Sequence, residues 1–229
     1  MRFHRFFITV PIEGKLVSVS DKKLLHQWRN VSRLSAGDRV VLFDGRMNDH
    51  TALIKNISKG EASLEIIETK KGIMPRKNVW LFVSLIKKDK FEWVAEKATE
   101  LGVSHIVPLT AERSEKKGYN AERLRKIIIE SAEQSGRATV PAIHEAVTVT
   151  EALKEHKFSL FACDPRGVSR YQLPSASSTF GLFVGPEGGW SDKELELFKN
   201  RGAELISLGG TTLRAETAAI AATTLALFL

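Results

Sequence analysis

Two stretches near the C-terminus hold the residue types best suited to chemistry. The first is Gly185-Pro186-Glu187-Gly188-Gly189-Trp190-Ser191-Asp192. The second is Ser207-Leu208-Gly209-Gly210-Thr211-Thr212-Leu213-Arg214-Ala215-Glu216-Thr217. Each follows an apolar, β-like run (Thr179 to Val184, and Glu204 to Leu208), and each opens a helix. Glycine admits positive φ and close approach of a ligand to the main chain. Two such turns at neighbouring strand ends therefore make a pocket walled by backbone N–H and C=O groups. Arg214 suits the binding of an anion or a carbonyl oxygen. Glu216 is either a proton acceptor or an orienting partner for Arg214. A plain Gly/Pro turn at 185–189 and a simple surface pair at 214/216 stand as the alternatives.

The elements that position these turns read as alternating strands and helices. Val79 to Ile86 is a nearly continuous apolar run, as in a strand buried on both faces. Phe91, Val94, Ala95, Ala98 and Leu101 make one helical face that stops at Gly102. His105 to Leu109 is the next strand, and Ala121 to Ser135 is a helix ended by Gly136. Phe158 to Cys163 and Thr179 to Val184 are further buried strands; Cys163 reads as a buried packing residue, and its strand with the Asp164-Pro165 turn after it is a candidate third wall for the pocket. Ser191 caps the next helix, with Glu194 as the other half of a capping box. Alternation of this kind predicts a parallel α/β sheet over residues 79–229. Trp80 and Trp93 read as core, and Trp190 as either packing or pocket wall.

Residues 1–70 follow a different pattern. Short runs at 6–10, 39–43, 51–54 and 62–67 are bounded by turn residues, and Leu24, Leu25, Trp28 and Val31 recur at helical spacing over 21–34. A compact β-barrel with one helix is expected. Residues 71–78, containing Gly72 and Pro75, read as a linker. The 229-residue chain carries a formal charge of +7. The first seventy residues hold 12 Lys and Arg against 8 Asp and Glu, and the remainder 22 against 19, so the excess is denser in the small domain. An anionic partner, nucleic acid foremost, is one reading of this charge, and a basic surface that serves solubility is the other.

Several function classes are excluded. There is no GxxxxGK[ST] and no GxSxG, which speaks against P-loop nucleotidases and elbow hydrolases. No GxGxxG follows the first strand of the α/β domain, where a Rossmann site would sit. One cysteine and six scattered histidines give no disulfide framework and no metal site. The basic start Met1 to Phe7 lacks a cleavage pattern, and the apolar stretch 215–229 is too short to span a bilayer. A cytoplasmic location is expected.

The blocks GPEGGWSDKELELF and SLGGTTLRAETAA resemble the two C-terminal signatures of the RsmE family, SPOUT-class methyltransferases. Arg2 to Phe7, Gly37 to Gly45, Lys88 to Trp93, Lys97 to Val103 and Glu133-Gln134-Ser135-Gly136-Arg137 with Pro141 are similar to further blocks of that family. Ser32 departs from it, in the domain that would meet RNA. The resemblance covers nearly the whole chain. It implies a PUA-like N-terminal barrel, a SPOUT α/β domain tied in a trefoil knot, a homodimer, and S-adenosylmethionine as cofactor. The implied reaction is methylation of N3 of a uridine in 16S ribosomal RNA of the small subunit. Cofactor contacts are then expected from Leu182, Phe183, Val184, Gly185, Pro186, Glu187, Gly188, Ser207, Leu208, Gly209, Thr212 and Leu213. Arg214 leads as stabiliser of the charge that develops on the base, followed by Arg137, with Glu216 as orienting group or base. RNA contacts are expected from Arg2, Arg5, Arg29, Arg33, Lys88 and Lys90. A non-catalytic RNA-binding protein, and a related SPOUT enzyme acting on tRNA or a 2′-hydroxyl, are the competing readings.

Overall fold

The structure, a computed structural model, describes residues 3–75, 77–115, 118–154, 156–168 and 179–228. Arg2 lies outside the described residues. The chain divides into two compact units. One comprises the chain through Met74 together with Ala132–Thr139, and the other Pro75–Ser131 and Val140 onward. The first unit thus takes in a segment from the middle of the sequence. The expected division at 71–78 did not include it.

In the first unit the strands are β1 (Arg5–Phe7), β2 (Leu16–Val19), β3 (Arg39–Phe43), β4 (Asn48–Ile57) and β5 (Ala62–Lys71). Their order is β1-β3-β4-β5-β2, with β1 parallel to β3 and the other pairs antiparallel. The expected barrel is therefore a five-stranded sheet with β1 and β2 at its edges among the described residues. β2 escaped the sequence reading, although Val17 and Val19 alternate inward as a half-buried strand should. Helix α1 (Lys22–His26) starts at Asp21, whose carboxylate accepts from the backbone N–H of Lys23 and Leu24. It continues as a π-helical turn over Gln27–Val31. The wider turn changes the phase: Leu25 and Trp28 stay in the core with Phe6, Val40, Leu42 and Ile54, whereas Val31, expected inward, is 71% exposed.

The 132–139 segment is held to this sheet by specific bonds. Ile73 bridges Arg137 in parallel, and Ala138 N–H donates to Ile73 O at 3.2 Å. Phe7 N–H donates to Glu133 Oε1 at 2.9 Å. A Cβ on Gly72 would run into the methyl of Ala138, so the close approach requires glycine.

The second unit is an α/β layer structure. Its strands are β6 (Asn78–Ser84), β7 (His105–Thr110), β8 (Ala142–Ile143), β9 (Val147–Thr148), β10 (Ser159–Val168), β11 (Thr179–Val184) and β12 (Glu204–Ile206). The order is β12-β10-β11-β6-β7-β8, with β9 also on β7, and every observed pairing is parallel. The helices are α2 (Lys88–Leu101), α3 (Ala121–Ser135), α4 (Val149–Lys154), α5 (Asp192–Asn200) and α6 (Ala215–Phe228). One core joins a sheet face to α2, α3 and α6 through Leu81, Val83, Leu182, Phe91, Ala95, Leu124, Ile128, Ala219 and Ala222. The other joins the opposite face to α4 and α5 through Phe82, Phe183, Ala152, Leu153 and Phe198. Burial on both faces explains why β6 and β11 are apolar without alternation. Gly102 ends α2 at φ +114°, its N–H returning to Ala98 O and Thr99 O. Trp93 is 41% exposed on α2, not core as expected, because Phe91, Val94, Ala95 and Ala98 already fill the inward face.

Candidate active site

A cavity of about 330 Å³ opens at the C-terminal ends of β11 and β12 and beside the register break within β10. In parallel α/β sheets ligands bind outside the carboxyl ends of the strands, and ligand pockets span about 300–1,000 Å³. Three segments wall it: Cys163-Asp164-Pro165 at the bend within β10, 184–187 with Gly189 and Trp190 after β11, and 207–209 with 211–215 after β12. Ala218 of α6 completes the lining. Residues 207–214 belong to neither strand nor helix; Ser207 N–H donates to Val168 O at 2.9 Å and Arg214 O accepts from Ala218 N–H at 2.8 Å, which pins the two ends of the stretch to β10 and α6. Gly209 stands at φ +136°, a conformation that favours glycine.

Of the residues expected to hold a cofactor, Val184, Gly185, Pro186, Glu187, Ser207, Leu208, Gly209, Thr212 and Leu213 line the cavity. Leu182, Phe183 and Gly188 do not. Leu182 and Phe183 are fully buried on opposite faces of β11, the latter stacked on Phe82 with centroids 4.3 Å apart. Gly188 instead offers its carbonyl to Arg113 Nη1 at 3.1 Å. Gly189, Thr211, Ala215 and Ala218 are lining residues that the sequence reading did not single out. Glycine turns mark a pocket's floor, but which neighbours face inward is set by strand phase and by the start of α6.

Trp190 both packs and lines. It is buried, sits edge-on to Phe198, and donates Nε1–H to Cys163 O at 3.0 Å, tying the loop after β11 to β10. A Cβ on Gly185 would meet its indole at 3.1 Å, so glycine lets the ring close the pocket. The loop then enters α5 through the expected capping box, Ser191 Oγ accepting from Glu194 N–H and Glu194 Oε2 from Ser191 N–H. Glu194 Oε1 also accepts from Glu112 N–H at 2.8 Å, which anchors the segment after β7 to the same place.

The charges at the cavity are arranged in pairs. Asp164 is buried, and Arg166 grips it at 2.8 and 3.0 Å. Burial opposes its ionisation, but the Arg166 bonds prevail and hold the carboxyl below its ordinary range. Burial, with the Asp164 charge, pushes the Cys163 thiol up to about 12, so that wall is a neutral thiol. Arg214 is exposed on the lining. Glu216 is buried one residue beyond the lining, and its ion pair is with Lys90, Nζ to Oε1 at 3.1 Å. Burial opposes its charge, but its own N–H at the start of α6, Lys90 and the charge of Arg214 together hold the carboxyl below its usual value.

The other expected site residues lie elsewhere. Arg137 is buried in the first unit, not in the lining. Its guanidinium bonds Thr139 Oγ1, its carbonyl accepts from Arg5, and burial lowers its pKa to about 10. Arg5, expected to face RNA, is engaged bidentately by Asp49 at 2.7 and 3.0 Å. Arg29 is half-buried within the π turn; Arg33, at φ +53°, and Lys88 are exposed. Among the described residues no group of three His, Cys, Asp or Glu side chains is placed to hold a metal ion, and no helix is long and apolar enough to cross a membrane.

A cavity of this size at the carboxyl edge of a parallel sheet, walled by two glycine turns, defines a cofactor-binding α/β domain. Residues 74–227 match the model of the RNA methyltransferase domain. The chain is 34% identical to ribosomal RNA small subunit methyltransferase E of Rickettsia conorii, over 97% of this chain and 94% of that protein. It is 30% identical to the Bacillus subtilis protein of the same name, over 90% and 87%. The crystal structure of ribosomal RNA small subunit methyltransferase E from Neisseria gonorrhoeae, bound to S-adenosyl methionine, superposes with a TM-score of 0.89 at 29% identity, covering 98% of this chain and 96% of that one. The chain belongs to the ribosomal RNA small subunit methyltransferase E family.

Proposed function

We propose that this protein transfers a methyl group from S-adenosylmethionine to N3 of a uridine in 16S ribosomal RNA. The observation that carries the reading is the cavity between the two glycine turns, with Arg214 on its lining. Its residues fit the cofactor. Leu208, Leu213, Val184 and Ala218 suit an apolar ring, main-chain groups of the glycine turns suit hydrogen-bonding edges, and among the described lining residues Arg214 stands without a cluster of cations that would demand a phosphate. Bound there, S-adenosylmethionine supplies an electrophilic methyl on a sulfonium centre.

What the chain contributes is placement and charge. Holding the attacking nitrogen in line is the larger part of the work. Uracil N3 loses its proton on reaction and negative charge spreads to the ring oxygens, where the guanidinium of Arg214 is a fitting stabiliser. Glu216, held ionised by Lys90, makes a weak proton acceptor. Arg137, buried against Thr139, serves the packing of the first unit in this reading. The surplus of Lys and Arg in that unit, Arg29 and Arg33 among them, meets the RNA phosphates. The trefoil knot, the PUA-like character of the first unit, a homodimeric assembly and a cytoplasmic location belong to the same reading.

The test uses small ribosomal subunits from cells lacking the modification, labelled S-adenosylmethionine, nuclease digestion and mass spectrometry. Methyl on uracil N3 is expected. Label on ribose or on another base, or none at all, sinks the proposal. Arg214→Ala is expected to lose at least about 100-fold in turnover while its cofactor affinity holds within about threefold; near-normal turnover would remove Arg214 from this role.

A further inference from the structure

Lys90 stands in the first turn of α2 and Glu216 in the first turn of α6, far apart in the chain. The two helices share one core, in which Phe91, Val94 and Ala95 pack with Ala215, Ala219 and Ala222. That packing fixes the two backbones, and the ion pair at 3.1 Å fixes the side chains. The Glu216 side chain is 11% exposed and that of Lys90 41%. The carboxylate is therefore the buried member, and the ammonium reaches outward from it. An ammonium has three donors; with one directed at Glu216, the others remain for a substrate. Glu216 follows directly on Arg214 and Ala215, which line the cavity, so Lys90 is tethered to the helix end that presents Arg214.

We propose that Lys90 is a second cation of the methyl-transfer site, donating to a carbonyl oxygen of the target base. Glu216 is its positioning residue and not the proton acceptor. The inference rests on the reading of the function given above. In the step it describes, the N3–H bond breaks and its proton passes to water. The freed electron pair forms the N3–CH3 bond, and the C–S bonding pair stays on sulfur. Lys90 and Glu216 keep their charges throughout. Two cations facing the uracil oxygens lower the energy of the imidate before and during transfer, which makes a carboxylate base unnecessary. A buried carboxylate already committed to an ammonium would gain a proton only by giving up that pair.

The experiment compares the parent protein with Lys90→Met, Lys90→Arg and Glu216→Gln in single-turnover methyl transfer to small subunits across pH. Calorimetric titration with S-adenosylmethionine and thermal melting accompany each variant. Lys90→Met is expected to lose about 100-fold in rate while cofactor affinity stays within about threefold. Lys90→Arg recovers to within about tenfold of the parent, since the charge is kept and the geometry altered. Glu216→Gln slows transfer but keeps the rising limb of the pH profile. Transfer by Lys90→Met at the parent rate overturns the proposal, as does disappearance of the rising limb in Glu216→Gln. Should Lys90→Met fail to fold, an inactive Lys90→Arg that melts and binds cofactor normally also overturns it. A parent protein that transfers nothing to N3 overturns the functional reading and this inference together; an active parent with an indifferent Lys90 overturns only the latter.

Discussion

Replacing Asp49 by Ala isolates the structural role of Arg5. The Arg5 guanidinium is gripped by both Asp49 oxygens at 2.7 and 3.0 Å, gives a further bond to Arg137 O at 3.2 Å, and lies 5.1 Å from the centroid of Phe43. Both side chains are nearly withdrawn from solvent, 11% and 9% exposed. Removing one member of such a pair leaves a buried charge uncompensated, at about 3–5 kcal/mol. The remaining bond to Arg137 O and the residual exposure favour the lower bound, which is about 100-fold in the opening equilibrium at 1.36 kcal/mol per decade. Native-state hydrogen exchange of β4 peptides reads this directly, because β4 carries Asp49. Arg5→Met/Asp49→Leu is expected to regain most of the loss, since an apolar pair of similar volume leaves no unpaired charge. RNA affinity of Arg5→Met, measured where the first unit remains folded, should stay within about threefold of the parent. Exchange in Asp49→Ala unchanged within threefold, or a large loss of RNA affinity in a fully stable Arg5→Met, would refute the reasoning.

Two further outcomes follow from the second unit. In Gly167→Ala the new methyl would lie 2.5 Å from the backbone of Leu205 and Ile206, forcing β10 and β12 apart. As these strands carry two walls of the cavity, calorimetry should show cofactor affinity weakened at least about tenfold; parent-like affinity contradicts the placement of those walls. His105 lies 3.8 Å from Trp80 in a stacked pair and 3.0 Å from His144 through ring nitrogens. Burial, with His144 and His156 nearby, lowers its pKa from 6.5 to about 4. Burial lowers His144 as well. The folded state thus prefers neutral imidazoles: their contribution is complete above pH 6.5 and is lost as pH falls toward 4. Melting temperature should fall across that window, and His105→Phe, which keeps the stack, should flatten the fall. Parallel curves for parent and variant would contradict it.

Much of the second unit was legible because its signals are local. The helix over 121–135, the strand over 179–184, the stop at Gly102 and the capping box at Ser191 and Glu194 each depend on residues a few positions apart. The same holds for the two glycine turns. What was not legible depends on long-range geometry. Leu182 and Phe183 read as pocket residues from their place beside the turn, but β11 is covered on both faces and the lining begins at Val184, the strand's last residue. Arg137 was expected as a second stabiliser of charge on the base and Arg5 as an RNA contact; the fold gives them Thr139 and Asp49 as partners, which no local pattern announces. Lys90 and Glu216 gave no hint of pairing, because their meeting depends on the packing of α2 on α6. Val31 was misjudged for a subtler reason, since helical spacing presumes a phase that the π turn does not keep.

The assignment of Ala132–Thr139 to the first unit bears on how the protein is made. The N-terminal sheet and its helix leave the ribosome first, yet the segment that seals Ile73 and Phe7 is synthesised only after β6, α2, β7 and most of α3. Residues 1–74 emerge as an unfinished piece, with the Arg5–Asp49 pair lacking the Arg137 carbonyl. Completion of the first unit is thereby timed by elongation into the second. Cutting the gene at the apparent linker would give a fragment without its closing segment, because the first unit is not contiguous in the chain.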